Sequence, residues 1–183
     1  MNRYRYILGT LLVLLSLVCF GCGKEKNSGI FALEDLVNEE GEFQYRDIPF
    51  GSPYEEVISQ IPMDFETMDV VDSAAVTCYS NESFDFYGCE ASLFLDFTED
   101  KLLKTVRVQF KQEKADEEQF NEIFNEIADD LTELYGEAEI SSGEGDIFSS
   151  ETHSWDKGNT RLQAVLLKTE TGISGVIGLF KNN

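Results

Sequence analysis

The sequence predicts an α+β fold: one antiparallel sheet of about six strands with two helices on one face. Three observations predict it. Two segments, near 53–60 and 116–135, carry apolar residues at helical spacing. The stretches between and after them alternate apolar and polar residues with period 2, the pattern of half-buried antiparallel strands. The order is helix, about three strands, helix, about three strands. That is a loose α-β-β-β duplication without convincing identity between its halves, and its simplest packing is a single sheet with both helices on the same side.

The first helix is read from "DIPFGSPYEEVISQIP". Ser52 is placed to cap it, Pro53 suits the first helical position, and Glu55 stands three after the cap, so the pattern is a capping box. Tyr54, Val57, Ile58 and Ile61 share one face, and Pro62 ends the helix, giving Pro53 to about Gln60. Strands are then expected over 70–80, over Ala91, Leu93, Leu95 and Phe97, and over Val106, Val108 and Phe110, with "TEDK" as a turn.

The second helix is the clearest element. Asp116 is placed to cap it, and Phe120, Ile123, Phe124, Ile127, Leu131, Leu134 and Tyr135 form one stripe. Gly136 is placed to end it. Its other face is acidic, which is the mark of a solvated surface. "SSGEGD" reads as a polar loop. Three more strands are expected near 148–155, 160–168 and 173–180, with "DKGN" and "TETG" as hairpin turns. Val165, Leu166 and Leu167 are apolar on both faces, so that strand is expected to be central. Gly175 and Gly178 suggest a bend or a close backbone approach.

The first 21 residues read differently. Arg3 and Arg5 make a positive start, and Ile7 to Phe20 is an uncharged apolar run. The run is shorter than the roughly 20 residues of a spanning helix, and the layout is that of a secretory signal. Gly21-Cys22-Gly23-Lys24 follows. This junction resembles the lipobox of bacterial lipoproteins. The resemblance implies that the Cys22 sulfur carries a diacylglycerol, that cleavage falls between Gly21 and Cys22, and that Cys22 becomes the N-terminus. Cys19 stands where that pattern usually has Leu, and bulky Phe20 follows; ordinary signal cleavage is the alternative. A redox or zinc reading of the Cys19–Cys22 pair is weak. The pair lies in an export segment rather than at the start of a helix, and no second pair stands at zinc spacing. The expected organisation is a signal peptide over 1–21, a tether over 22–42 in which "FALEDLVNEEGE" allows a short helix lying on the domain, and a single α+β domain over 43–183.

Charge limits the function. The chain has 14 Lys and Arg against 35 Asp and Glu, a formal net charge of −21. Binding to nucleic acid or an anionic surface needs a basic face, so that class is disfavoured and no nucleic-acid partner is expected. One local exception is the run Lys101, Lys104, Arg107, Lys111 and Lys114. Lys101, Arg107 and Lys111 are candidates for a patch that meets an anionic partner such as a cell-wall polymer; a solvated edge guarded by lysine is the simpler reading. Cys78 and Cys89 flank "YSNESFDFYG". They are a candidate disulfide if the segment is a hairpin, and two buried thiols otherwise.

Catalytic motifs are sparse. His153 is the single histidine, and the sequence contains no G-x-S-x-G elbow, EF-hand loop, P-loop or dinucleotide fingerprint. Glu144, Asp146 and Glu151 have no metal-specific spacing, and with so many acids any carboxylate pair is uninformative. No catalytic residue, metal or cofactor is expected.

"IPFGSPYEEVISQI" resembles the opening of small exported bacterial domains, the SmpA/OmlA-type envelope lipoproteins and the β-lactamase-inhibitor-like proteins, with Ile48, Gly51, Ser52 and Val57 matching. "LTELYGEAE" is similar to the Tyr-Gly helix end of related exported lipoproteins. Pro62-Met63-Asp64 stands where those domains have Gly-x-Pro. The shared residues are structural, so the resemblance implies a general style of binding other envelope proteins and transfers no functional residue. The expectation is a lipid-anchored, non-enzymatic protein-binding or envelope-assembly module on the extracytoplasmic face of a bacterial cell membrane. A carboxylate-based hydrolase or metal-dependent enzyme is the alternative, and a sensor or substrate-capture lipoprotein is a third.

Overall fold

The computed structural model of the chain describes residues 29–68, 75–111 and 117–182. Cys19, Cys22, the signal segment 1–21, the first part of the tether, residues 70–74 of the first expected strand, Lys114 and the Asp116 cap lie outside the described residues.

Among the described residues nine strands form one sheet: β1 (Phe65–Met68), β2 (Val76–Ser80), β3 (Phe84–Phe86), β4 (Cys89–Phe97), β5 (Leu103–Lys111), β6 (Glu139–Gly145), β7 (Phe148–Lys157), β8 (Thr160–Thr169) and β9 (Gly172–Lys181). The path is β1-β2-β4-β5-β9-β8-β7-β6, with β3 pairing β4 off the path. All pairings are antiparallel. The expected count of about six is therefore too low. The halves meet at β5 and β9, the last strand of each, so each half supplies four strands to the path rather than three.

The additional strands are short or polar. β1 has four residues and β3 three. β6 covers the stretch expected as a loop, and its sequence EISSGEG is almost wholly exposed. An edge strand with solvent on both faces needs no apolar alternation, so period-2 reading passes over it.

The two α-helices of the described residues pack on one face, α1 (Tyr54–Gln60) and α2 (Glu117–Tyr135). Side chains alternate across a strand, and Ala91, Leu93, Leu95 and Phe97 of β4 all point to this face, each 1% exposed or less. The Tyr54 ring of α1 meets Phe97 at 5.1 Å. Phe120 of α2 stacks on Phe110 of β5 at 5.8 Å, and Phe124 meets His153 of β7 at 5.6 Å. Gly136 ends α2 with φ +90°, and its N–H donates to the Thr132 carbonyl at 2.9 Å. Trp155 Nε1 donates to the Gly136 carbonyl at 2.7 Å, pinning the helix end to β7.

The start of α1 differs from the expected capping box. Pro53 is the N-cap, and no side chain caps the helix. The backbone just before it is already engaged: Gly51 N–H donates to the Leu103 carbonyl at 2.8 Å, Leu103 N–H to Ser52 at 2.9 Å, and Tyr54 N–H to Lys101 at 3.0 Å. This bridge to the β4–β5 connection holds Ser52 in extended pairing and buries it.

The tether reading fails over residues 29–42. Phe31, Leu33 and Leu36 are 1% exposed or less and belong to the main core. Tyr45 stacks on Phe31 at 5.7 Å, Phe31 meets Phe86 at 6.0 Å, and Phe86 meets Phe110 at 5.4 Å. With Phe120 these rings form one column from the N-terminal segment to α2. Polar contacts hold the segment as well: Phe43 N–H donates to Thr160 Oγ1 at 2.6 Å, and the Tyr135 hydroxyl donates to the Leu33 carbonyl. The folded unit thus includes Phe31 and does not begin at 43.

Gly175 has the close approach its sequence context suggested. It lies on the helix-bearing face, where a Cβ would collide with the Phe110 ring. The missing side chain is the space that ring fills.

Candidate functional site

The face opposite the helices has no covering element among the described residues. One row of this open face crosses the whole path: Glu66, Tyr79, Phe94, Arg107, Gly178, Gln163, Ser154 and Glu139 are successive register partners. No two of these are neighbours in sequence. The sheet alone assembles them.

At the centre of the row, Arg107 Nε donates to Asp96 Oδ2 and its Nη2 to Asp96 Oδ1, both at 2.8 Å. Its guanidinium also lies over the Phe94 ring, 5.5 Å from the centroid. Phe94 meets the Tyr79 ring at 6.2 Å. The Tyr79 hydroxyl donates to Glu66 Oε2 at 2.6 Å, and Thr77 Oγ1 donates to Asp96 Oδ1 at 2.8 Å. The second half carries a similar pair, with Arg161 Nε and Nη2 donating to Asp156 at 2.8 Å. Those bonds hold the Asp156 carboxyl below its ordinary value.

Phe180 lies between the two arginine–aspartate pairs, being the register partner of both Thr105 and Arg161. Gly178 makes this possible. A Cβ there would lie 2.6 Å from the Phe180 ring, so the ring rests against bare backbone. Val176 and Val165, paired on the next row, and Leu167 beyond them continue an apolar band. The result is a half-exposed aromatic and aliphatic surface with two fixed arginines. Such a surface can bind; Glu66, Asp96 and Asp156 on it each accept a hydrogen bond from a neighbouring side chain.

The sequence-expected sites fare differently. Arg107 is on the open face, but it belongs to the Asp96–Phe94 arrangement. Lys101, with φ +59°, sits in the β4–β5 turn, and Lys111 is at the far end of β5 opposite Glu90. The two lysines are separated by about 25–30 Å at strand rise. Lys101, Arg107 and Lys111 therefore form no common patch. His153 lies under α2, with Nε2 2.7 Å from Glu151 Oε1 and its ring against Phe124 and Trp155. Among the described residues no group of three or more His, Cys, Asp or Glu is placed to hold a metal. No helix of the described residues is long and apolar enough to cross a membrane.

The candidate disulfide is overturned. Cys78 pairs with Leu95, and Cys89 lies six residues along the same strand from Leu95. That separation is about 20 Å, whereas a disulfide needs Cα atoms within about 7 Å. Both cysteines are free and buried. Burial, with the Asp85 charge adding, pushes the Cys89 thiol up to about 11. Burial also raises Cys78, against hydrogen bonds with Tyr54 and Thr67 that lower it. Iodoacetamide at pH 8 is accordingly expected to leave both thiols unmodified in the native domain, since the thiolate is the nucleophile. In denaturant without reductant, mass spectrometry should show both carrying adducts. A denatured, unreduced domain that stayed unmodified at both would restore the disulfide.

No protein-family model, curated protein or solved structure matches the chain.

Proposed function

We propose that the chain is a lipid-anchored extracytoplasmic protein that binds another protein through the open face of its sheet, without catalysis. The observation that carries this reading is the Tyr79–Phe94–Arg107–Phe180 surface. Tyr, Phe and Arg are the side chains that concentrate binding energy at protein interfaces. Here the arginine is already held by Asp96 and Phe94. Little side-chain freedom is left to lose on association, which favours affinity.

The lipid anchor at Cys22 rests on the lipobox resemblance. It fits the early start of the folded unit. Only eight residues, Gly23 to Ile30, separate Cys22 from Phe31, and eight residues reach at most about 28 Å. The domain then works close to the membrane surface, within reach of other envelope proteins.

Two experiments test this. Cys22→Ser is expected to abolish labelling by radioactive palmitate and to move the protein out of the membrane fraction. Retention in the membrane with unchanged labelling would refute the anchor. A photo-crosslinking residue placed at Gln109, on the open face, is expected to trap one discrete envelope protein in intact cells, while the same residue at Glu122 on α2 traps none. The combined Phe94→Ala and Arg107→Ala changes should remove that crosslink and leave the thermal midpoint within a few degrees. Equal crosslinking from both positions would refute the open-face assignment.

A further inference from the structure

β6 closes one end of the sheet, and among the described residues its only strand neighbour is β7. Exposed edges are ordinarily protected by Lys or Pro, by a bulge, or by shortness, because a row of unpaired backbone groups invites another strand. β6 has no Lys, Pro or bulge; its protection is the charge of Glu139 and Glu144, which repels a like-charged strand and attracts a basic one. Its seven residues, EISSGEG, contain neither Lys nor Pro, and their register with β7 is unbroken from Glu139 to Gly145. The opposite edge, β1, has only four residues.

Apolar surface reaches this edge on both faces of the sheet. On the helix-bearing side Ile140, opposite His153, is 61% exposed. On the open side the Phe148 ring lies over Gly145, where a Cβ would come within 2.5 Å of it, and Phe148 is 45% exposed. Ile147, in the turn between the strands, is 67% exposed. Ile140 lies on β6 itself and the Phe148 ring rests against Gly145 of β6, so a strand added alongside would meet both.

Charge selects the occupant. From Gly136 to Asp156 the chain has no Lys or Arg, while Glu137, Glu139, Glu144, Asp146 and Glu151 surround the edge. A second copy pairing β6 with β6 would crowd two such acidic sets together on chains that each carry −21. A basic strand has the opposite balance, and cross-strand pairs of unlike charge stabilise a ladder.

We propose that β6 is an open docking edge that takes an extended segment of another protein, with basic and apolar residues on both of its faces, into the sheet by main-chain pairing. Glu139 and Glu144 lie on opposite faces, so both faces of the incoming strand carry cations. Its apolar residues fall against Ile140 and Phe148. This edge shares no residue with the Tyr79–Phe94–Arg107 cluster, so the two surfaces stand or fall separately.

The test uses the full chain in detergent and a nine-residue peptide of paired residues, Lys-Lys-Val-Val repeated, which puts both lysine and valine on each face of a strand. A control peptide keeps the lysines and replaces the valines by Pro, which has the same charge and cannot extend a ladder. Hydrogen exchange of the 139–145 amides is expected to slow at least tenfold with the Lys/Val peptide and to stay unchanged with the control. Glu139→Lys with Glu144→Lys should weaken the Lys/Val peptide at least tenfold and gain binding of a Glu/Val peptide. Ile140→Ser, an exposed site that cannot unfold the core, should weaken both peptides. Protection elsewhere in the sheet, equal binding of the proline control, or no protection at all overturns the proposal. Protection of 139–145 that depends on protein concentration without peptide overturns it in favour of a second copy.

Discussion

Phe110→Ala is expected to lower the unfolding free energy by about 3–5 kcal/mol, the range for removing a fully buried aromatic ring. Phe110 is 0% exposed. Its ring is the junction of the core: it meets Phe86 at 5.4 Å, stacks on Phe120 at 5.8 Å, and fills the space that Gly175 leaves open. Deleting it leaves a cavity bounded by three elements far apart in sequence. A collapse of any one of them into the hole would pull it away from the others, so relaxation is limited and the cost falls at the upper end. Urea unfolding followed by fluorescence of the single tryptophan, Trp155, measures it. The midpoint should fall with the slope unchanged. A loss under about 1 kcal/mol would mean that the ring column is not the centre of the core.

Gly175 makes the same argument from the other side. In sequence the glycine was readable as a bend or a close backbone approach, and the structure shows the second. Its partner was not readable. Phe110 and Gly175 are separated by 65 positions and brought together only by the β5–β9 pairing. Both helices were legible because an amphipathic stripe is local, needing only spacing within a few turns. The long strands β4, β5, β8 and β9 were legible because one face of each is buried and alternation records that. β6 was not, since neither face is buried and its Gly, Ser and Glu match a loop.

The candidate binding surface was almost wholly illegible. Arg107 is visible in the sequence as a basic residue in a strand, and period 2 puts it on one strand face with Lys101 and Lys111. The sheet groups it instead with Asp96, Phe94 and Tyr79 on β4 and β2, and with Phe180 on β9. No short motif encodes a row across antiparallel strands. The only available signal was that open-face positions in β2 and β4, Tyr79 and Phe94, carry aromatic rings where solvated positions ordinarily carry polar residues. The N-terminal boundary failed for a related reason. A few apolar residues in "FALEDLVNEEGE" allowed one short turn lying on the domain, which the structure has at Leu33–Asp35, but so short a pattern could not show that Phe31, Leu33 and Leu36 enter the main core.

Phe31→Ala decides between a tether and a core segment, and it is the second large effect expected. A ring on a solvated tether would cost at most a few tenths of a kcal/mol when removed. Phe31 is 0% exposed and lies between Tyr45 at 5.7 Å and Phe86 at 6.0 Å. Its loss should cost about 3 kcal/mol, the lower end of the range for a buried aromatic, because it sits at the end of the ring column where the segment can partly close over the gap. The effect should also be local. The Gln44 N–H to Leu36 carbonyl bond at 2.9 Å and the Asn38 N–H to Glu42 carbonyl bond at 3.0 Å close this segment on itself, and their amides should exchange faster in the variant than those of β4, β5 and β9. With the segment loosened, the span between Cys22 and the first fixed residue would grow from eight residues towards twenty. On the lipid-anchored reading that would let the domain stand farther from the membrane, so a crosslink to a membrane-embedded partner should weaken even at temperatures where the sheet is intact. A variant with wild-type stability and unchanged exchange at Asn38 and Gln44 would return residues 29–42 to the status of a tether.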